Sequence, residues 1–172
     1  AGVAHAHLAG AGLAHLDLKP SNVIVRDHGG AHAAPVLVDF GLAGRRLRPG
    51  CGTANYAAPE VWVPAASTAE CDPRQADVYA LGCVAYEMLT GPPPISRGKT
   101  FEILARHDGE TPIPLRALRS DVPEWLEVAV LRMLAKKPDD RFATTTRLVD
   151  ALRQGNEHGT TMEAGVARRR ES

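Results

Sequence analysis

Between Ala76 and Leu89 the apolar residues Val78, Tyr79, Leu81, Cys83, Val84, Tyr86, Met88 and Leu89 cover every face of a helical projection. A helix that is apolar all round is a buried one. Thr90-Gly91-Pro92-Pro93 stops it, with glycine in the C′ position and prolines beyond. Asp72-Pro73 has the chemistry of a cap and first turn, yet the apolar run begins only near Asp77. From Pro123 to Lys136, Trp125, Val128, Leu131 and Leu134 recur at helical spacing, and Lys136-Lys137-Pro138 ends the run. Thr100 to His107 and Thr144 to Leu152 predict two shorter helices. Val23 to Val25 and Val36 to Val38 are β-branched runs separated by Asp27, Gly29, Gly30 and Pro35, which predicts two short strands joined by a turn-rich loop. Ala1 to Ala14 reads as the end of a helix, loosened by Gly2, Gly10 and Gly12. Gly41 to Glu60 carries no sustained period and predicts an extended surface loop. Gly155 to Ser172 is polar, closes near Arg168-Arg169-Arg170, and is expected to be a disordered tail.

Composition narrows the picture without naming a function. The 172 residues suffice for one domain with a real core, and 44% hydrophobic residues suit a globular chain. Lys plus Arg balances Asp plus Glu at 20 each, so no net field marks a nucleic-acid or membrane-surface binder. Cys51, Cys71 and Cys83 are too few and too scattered for a disulfide framework or a zinc site, which favours a reduced, cytoplasmic compartment. Asp77 and Glu87 make the buried helix too charged, and its length too short, to span a membrane. The start at Ala1, without methionine or signal peptide, predicts a piece of something longer.

The chemistry lies at the strand ends. His15-Leu16-Asp17-Leu18-Lys19-Pro20-Ser21-Asn22 precedes the first predicted strand, and Asp39-Phe40-Gly41 follows the second. Asp17, Asn22 and Asp39 can therefore converge. Carboxylate and amide oxygens suit Mg²⁺ carrying phosphate. A further carboxylate can accept a hydroxyl proton, and a lysine can neutralise charge on a moving phosphoryl group. Taken singly, Asp17 is a common turn residue and Asp39 a common strand-end cap.

These segments resemble the catalytic loop and magnesium-binding triplet of the protein kinases, which serve as a standard template for phosphoryl transfer. Gly52-Thr53-Ala54-Asn55-Tyr56-Ala57-Ala58-Pro59-Glu60 is similar to the family's substrate-docking segment. Asp77-Val78-Tyr79-Ala80-Leu81-Gly82 resembles the start of its central helix, and Lys137-Pro138-Asp139-Asp140-Arg141-Phe142 its late arginine turn. The motifs stand in family order across residues 1 to 152. The resemblance implies an α+β, kinase-like fold: a mainly helical C-terminal lobe with a small hairpin at the cleft, the N-terminal lobe being absent. It implies transfer of the ATP γ-phosphoryl group to serine or threonine of a protein substrate. Asp17 would be the catalytic base, Lys19 would contact the γ-phosphate, and Thr53 would link both to the docking segment. Asn22 and Asp39 would hold Mg²⁺. Ser21 would belong to the nucleotide site, and Ile24 to the adenine floor. Glu60 with Arg141, and Asp77 with the catalytic-loop backbone, would be architectural. His15 is expected to be packed and structural, and no metal site is expected at His5 and His7.

Two departures from the family pattern qualify this reading. No glycine-rich loop or strand lysine precedes His15, so the isolated chain is expected to bind ATP poorly and turn over negligibly; losing even one such electrostatic donor costs about 10²–10³ in rate. A non-catalytic interaction module on the same fold is the competing reading, and a small-molecule kinase a third, against which Lys19-Pro20 and Ala58-Pro59-Glu60 argue. The second departure is Leu16, where many kinases have an arginine that receives a loop phosphate. Residues 42–51 contain no serine, threonine or tyrosine. Receiver and phosphosite are missing together, which predicts activity without loop phosphorylation. Arg45, Arg46 and Arg48 read as a solvated loop face, with a preference for acidic substrates as the alternative.

Overall fold

The structure, a computed structural model, describes residues 13–26, 34–44, 52–62 and 72–170, with side chains described as far as residue 158. The helix expected at Ala1 to Ala14, the arginines at 45, 46 and 48, His5, His7, Cys51 and Cys71 lie almost wholly outside these residues. The described part is mainly helical with one two-stranded antiparallel sheet. Strand β1 (Val23–Arg26) pairs with β2 (Ala34–Leu37) in the register Val23 to Leu37 and Val25 to Pro35. Pro35, expected in the connecting loop, is thus a strand residue. A two-stranded ribbon has only edges, where a proline without a backbone donor is tolerated.

The helices are α1 (Pro59–Trp62), α2 (Pro73–Thr90), α3 (Thr100–Gly109), α4 (Leu115–Leu118), α5 (Glu124–Met133) and α6 (Thr145–Arg170). Helix α2 is the centre of the core. Its start, ambiguous in the apolar pattern, is fixed by Asp72, whose carboxylate accepts from the backbone N–H of Arg74 while Pro73 occupies the first turn. It ends at Gly91, with φ of 97°, a conformation glycine adopts without Cβ strain. Val78, Tyr79, Cys83 and Tyr86 are buried in one cluster with Leu115, Val130, Met133, Leu134 and Phe142. Met88 in the last turn is exposed, and Leu81, Val84 and Ala85 are half-buried. Gly82 lets α5 come close: a β-carbon there would sit 2.9 Å from Met133 Cβ.

Three expectations are corrected. Around helix α5 one expected apolar position departs: Val128 is exposed, whereas Leu134 is buried, Trp125 and Leu131 are half-buried, and Ala129, Val130 and Met133 add to the buried face. The stretch from Gly41 to Glu60 is not a surface loop along its length, because Ala57, Ala58, Pro59 and Glu60 are buried, Ala58 within the core cluster around α2. Helix α6 continues beyond Leu152, its expected end, and through Gly155, the start of the expected tail. A β-carbon at Gly155 would overlap the Trp125 ring. The missing side chain therefore serves close packing of α6 on α5 rather than helix termination. Among the described residues, no helix is long and apolar enough to cross a membrane.

Candidate functional site

The segment before β1 is held from beneath by α2. Asp77, buried in the first half of that helix, accepts hydrogen bonds from the backbone N–H groups of His15 at 2.7 Å and Leu16 at 2.8 Å. These bonds coincide with an unusual backbone: Leu16 has φ of 66°, a region costly for a bulky side chain. Leu16 is also buried in the core cluster, which further fixes it. The next residue, Asp17, is thereby presented at the mouth of the site. His15 is buried, with Nε2 3.0 Å from the Val38 carbonyl and Nδ1 accepting from the Asp17 N–H at 3.3 Å. Its two ring nitrogens are thus engaged structurally, as expected, and connect the Asp17 loop to the end of β2.

Asp17, Lys19 and Thr53 form a closed triangle. Lys19 Nζ lies 2.7 Å from Asp17 Oδ2 and 3.0 Å from Thr53 Oγ1, and the Thr53 hydroxyl donates to Asp17 Oδ1 at 2.8 Å. Thr53 and Lys19 are remote in sequence; Gly52 makes their meeting possible. It has φ of 80°, and a β-carbon there would stand 2.8 Å from the Leu16 carbonyl oxygen, so both conformation and space call for glycine. Tyr56, a turn further on, donates its hydroxyl to Glu87 at 2.7 Å, and burial together with that carboxylate pushes its pKa up.

Asn22 is buried, and its Nδ2 donates to the Asp17 carbonyl at 2.8 Å. Its backbone carbonyl accepts from Val38 N–H at 3.0 Å, placing Asn22 beside the residue preceding Asp39. Asp39 is exposed, has φ of 62°, and accepts from the Gly41 N–H at 3.3 Å; aspartate tolerates that conformation better than most residues. With Nδ2 turned to Asp17, the Asn22 amide oxygen could serve as a ligand, and Asp39 would add a carboxylate. Two hard oxygen donors fit a Mg²⁺ ion that keeps waters and phosphate oxygens for its remaining positions. Ser21 is exposed in the short 3-10 turn Pro20–Asn22, and Ile24 is exposed on β1 at 51%. Neither touches the Asp17 triangle in the hydrogen bonds described. Phe40 packs its ring 4.7 Å from that of His15 and remains 44% exposed.

The docking segment is anchored at its far end. Arg141 and Glu60 are both buried and paired through two bonds, 2.6 and 2.8 Å long. The other Arg141 donors go to the backbone carbonyls of Gln75, Ala135 and Lys136. A guanidinium carries five N–H donors, and all are used. Its plane also lies over Tyr79, 4.9 Å from the ring centroid. The residues that the sequence did not single out are Tyr79, His107 and Lys136, which meet where α2, α3 and the segment after α5 come together. Sequence spacing gives no signal for such a cluster, because its members come from three separate elements.

The sequence is similar to those of known proteins. Residues 1–152 match the family model of the protein kinase domain. The chain is similar to the serine/threonine-protein kinase PknB of Mycolicibacterium smegmatis, with 34% identity over 146 residues, covering 80% of this chain and 22% of that protein. It is 38% identical over 139 residues to the serine/threonine-protein kinase PkaA of Streptomyces coelicolor, covering 76% and 23%. PknH of Mycobacterium bovis, a serine/threonine-protein kinase, is 36% identical over 151 residues, covering 83% and 24%. The chain thus spans less than a quarter of the length of these relatives. On the match over residues 1–152, the chain belongs to the protein kinase domain family.

Proposed function

We propose that residues 1–152 form the helical, C-terminal lobe of a serine/threonine kinase catalytic domain that transfers the ATP γ-phosphoryl group to protein hydroxyls. The observation that carries this reading is the Asp17–Lys19–Thr53 triangle, with every edge at 3.0 Å or less. Asp17 accepts the proton of the acceptor hydroxyl, or orients that hydroxyl for attack. Lys19 shifts from Asp17 toward the γ-phosphoryl group and offsets its charge. Thr53 holds the docking segment against Asp17, so an acceptor side chain bound there arrives beside the carboxylate. Asn22 and Asp39 would hold Mg²⁺, which neutralises charge on the phosphate oxygens when bound. Ser21 and Ile24 line the nucleotide's approach, and the chain works in the cytoplasm.

Leu16 supports a second part of the reading. Its side chain is core, so the position before Asp17 offers no guanidinium to receive a loop phosphate, and the protein is active without one. Phosphatase treatment should leave initial rates unchanged.

The test is phosphotransfer from Mg²⁺-ATP to a basic protein substrate, in the protein that carries this chain, with and without Asp17→Asn. A loss of about 10²–10⁴ is expected for a general base. Activity within about threefold of the unaltered protein would overturn the assignment of Asp17, whereas a non-catalytic interaction module predicts no phosphotransfer from either form.

A further inference from the structure

We draw no further inference here: the strongest candidate, the cavity between the first turn of α2 and the N-terminus of α6 lined by Arg74, Gln75 and Thr144 to Thr146, carries nothing, because a helix N-terminus favours an anion whereas the unpartnered atom beside it, Gln75 Oε1, is an acceptor enclosed away from solvent, so the two select no common ligand.

Discussion

Glu60→Gln isolates the contribution of the buried pair beneath the docking segment. The substitution preserves shape and removes one charge, leaving the Arg141 guanidinium buried without its counter-ion. The two bonds at 2.6 and 2.8 Å would become one acceptor bond and one donor facing a donor. Breaking a buried pair on one side costs about 3–5 kcal/mol, a large part of the roughly 5–15 kcal/mol by which a domain is stable. With a urea slope of about 1–3 kcal/mol/M, the unfolding midpoint should fall by about 2 M. Arg141→Met should cost more, because it also strips the donor from the carbonyls of Gln75, Ala135 and Lys136. Combining Glu60→Met with Arg141→Met should recover part of that loss, since no lone charge remains. Urea unfolding followed by circular dichroism measures all three. A loss below about 1 kcal/mol for Glu60→Gln would refute the reasoning, because it would mean that water reaches a pair shown as fully enclosed.

His107 makes stability depend on pH. Its pKa is lowered from 6.5 to about 4, chiefly by burial, so the unfolded chain takes up a proton that the folded chain refuses. The contribution is whole above pH 6.5, declines as pH falls toward 4, and is then spent; it amounts to about 3 kcal/mol. Unfolding midpoints of His107→Gln should vary less with pH across that window than those of the unaltered chain, the difference cancelling the titration of other groups. Gly155→Ala should destabilise by about 1–3 kcal/mol through overlap with Trp125, although alanine is the better helix former; a higher melting temperature would show that α6 does not pack there. Gly52→Ala should loosen Thr53 from Asp17, because the added carbon meets the Leu16 carbonyl, and faster amide exchange at Thr53 is the readout. Asp39→Ala should abolish phosphotransfer while leaving the melting temperature within about 2 °C, given that Asp39 is exposed.

What could be read from the sequence was local or carried by ordered motifs. The apolar run of α2, its Gly91 stop and the two valine-rich strands each depend on neighbours a few positions away, and all were legible. So were Asp17, Lys19, Asn22 and Thr53, through their place in an ordered set. Pairing set by distant packing was not. The buried stripe of α5 could be read as beginning at Trp125 and Val128, but Val128 is exposed and Ala129 and Val130 face the core, because α2 and α6 decide which side is covered. The packing of Gly155 was hidden for the same reason: only Trp125, 30 positions earlier by the numbering, reveals why a side chain is excluded.

The Tyr79–His107–Lys136 cluster shows the same limit. Each of its residues has an ordinary explanation alone: an aromatic in a buried helix, a histidine near a helix end, a lysine before a proline. Their chemistry appears only when α2, α3 and the segment after α5 meet, with the Tyr79 hydroxyl 2.8 Å from His107 and Lys136 2.6 Å from its carbonyl. The Asp17 triangle, by contrast, joins a compact loop to a single distant residue, Thr53. Residues that perform chemistry must combine a reactive group with a nearby orienting group, which concentrates them in short segments. Residues that hold such segments in place need only reach them from below, and any element of the core can supply one.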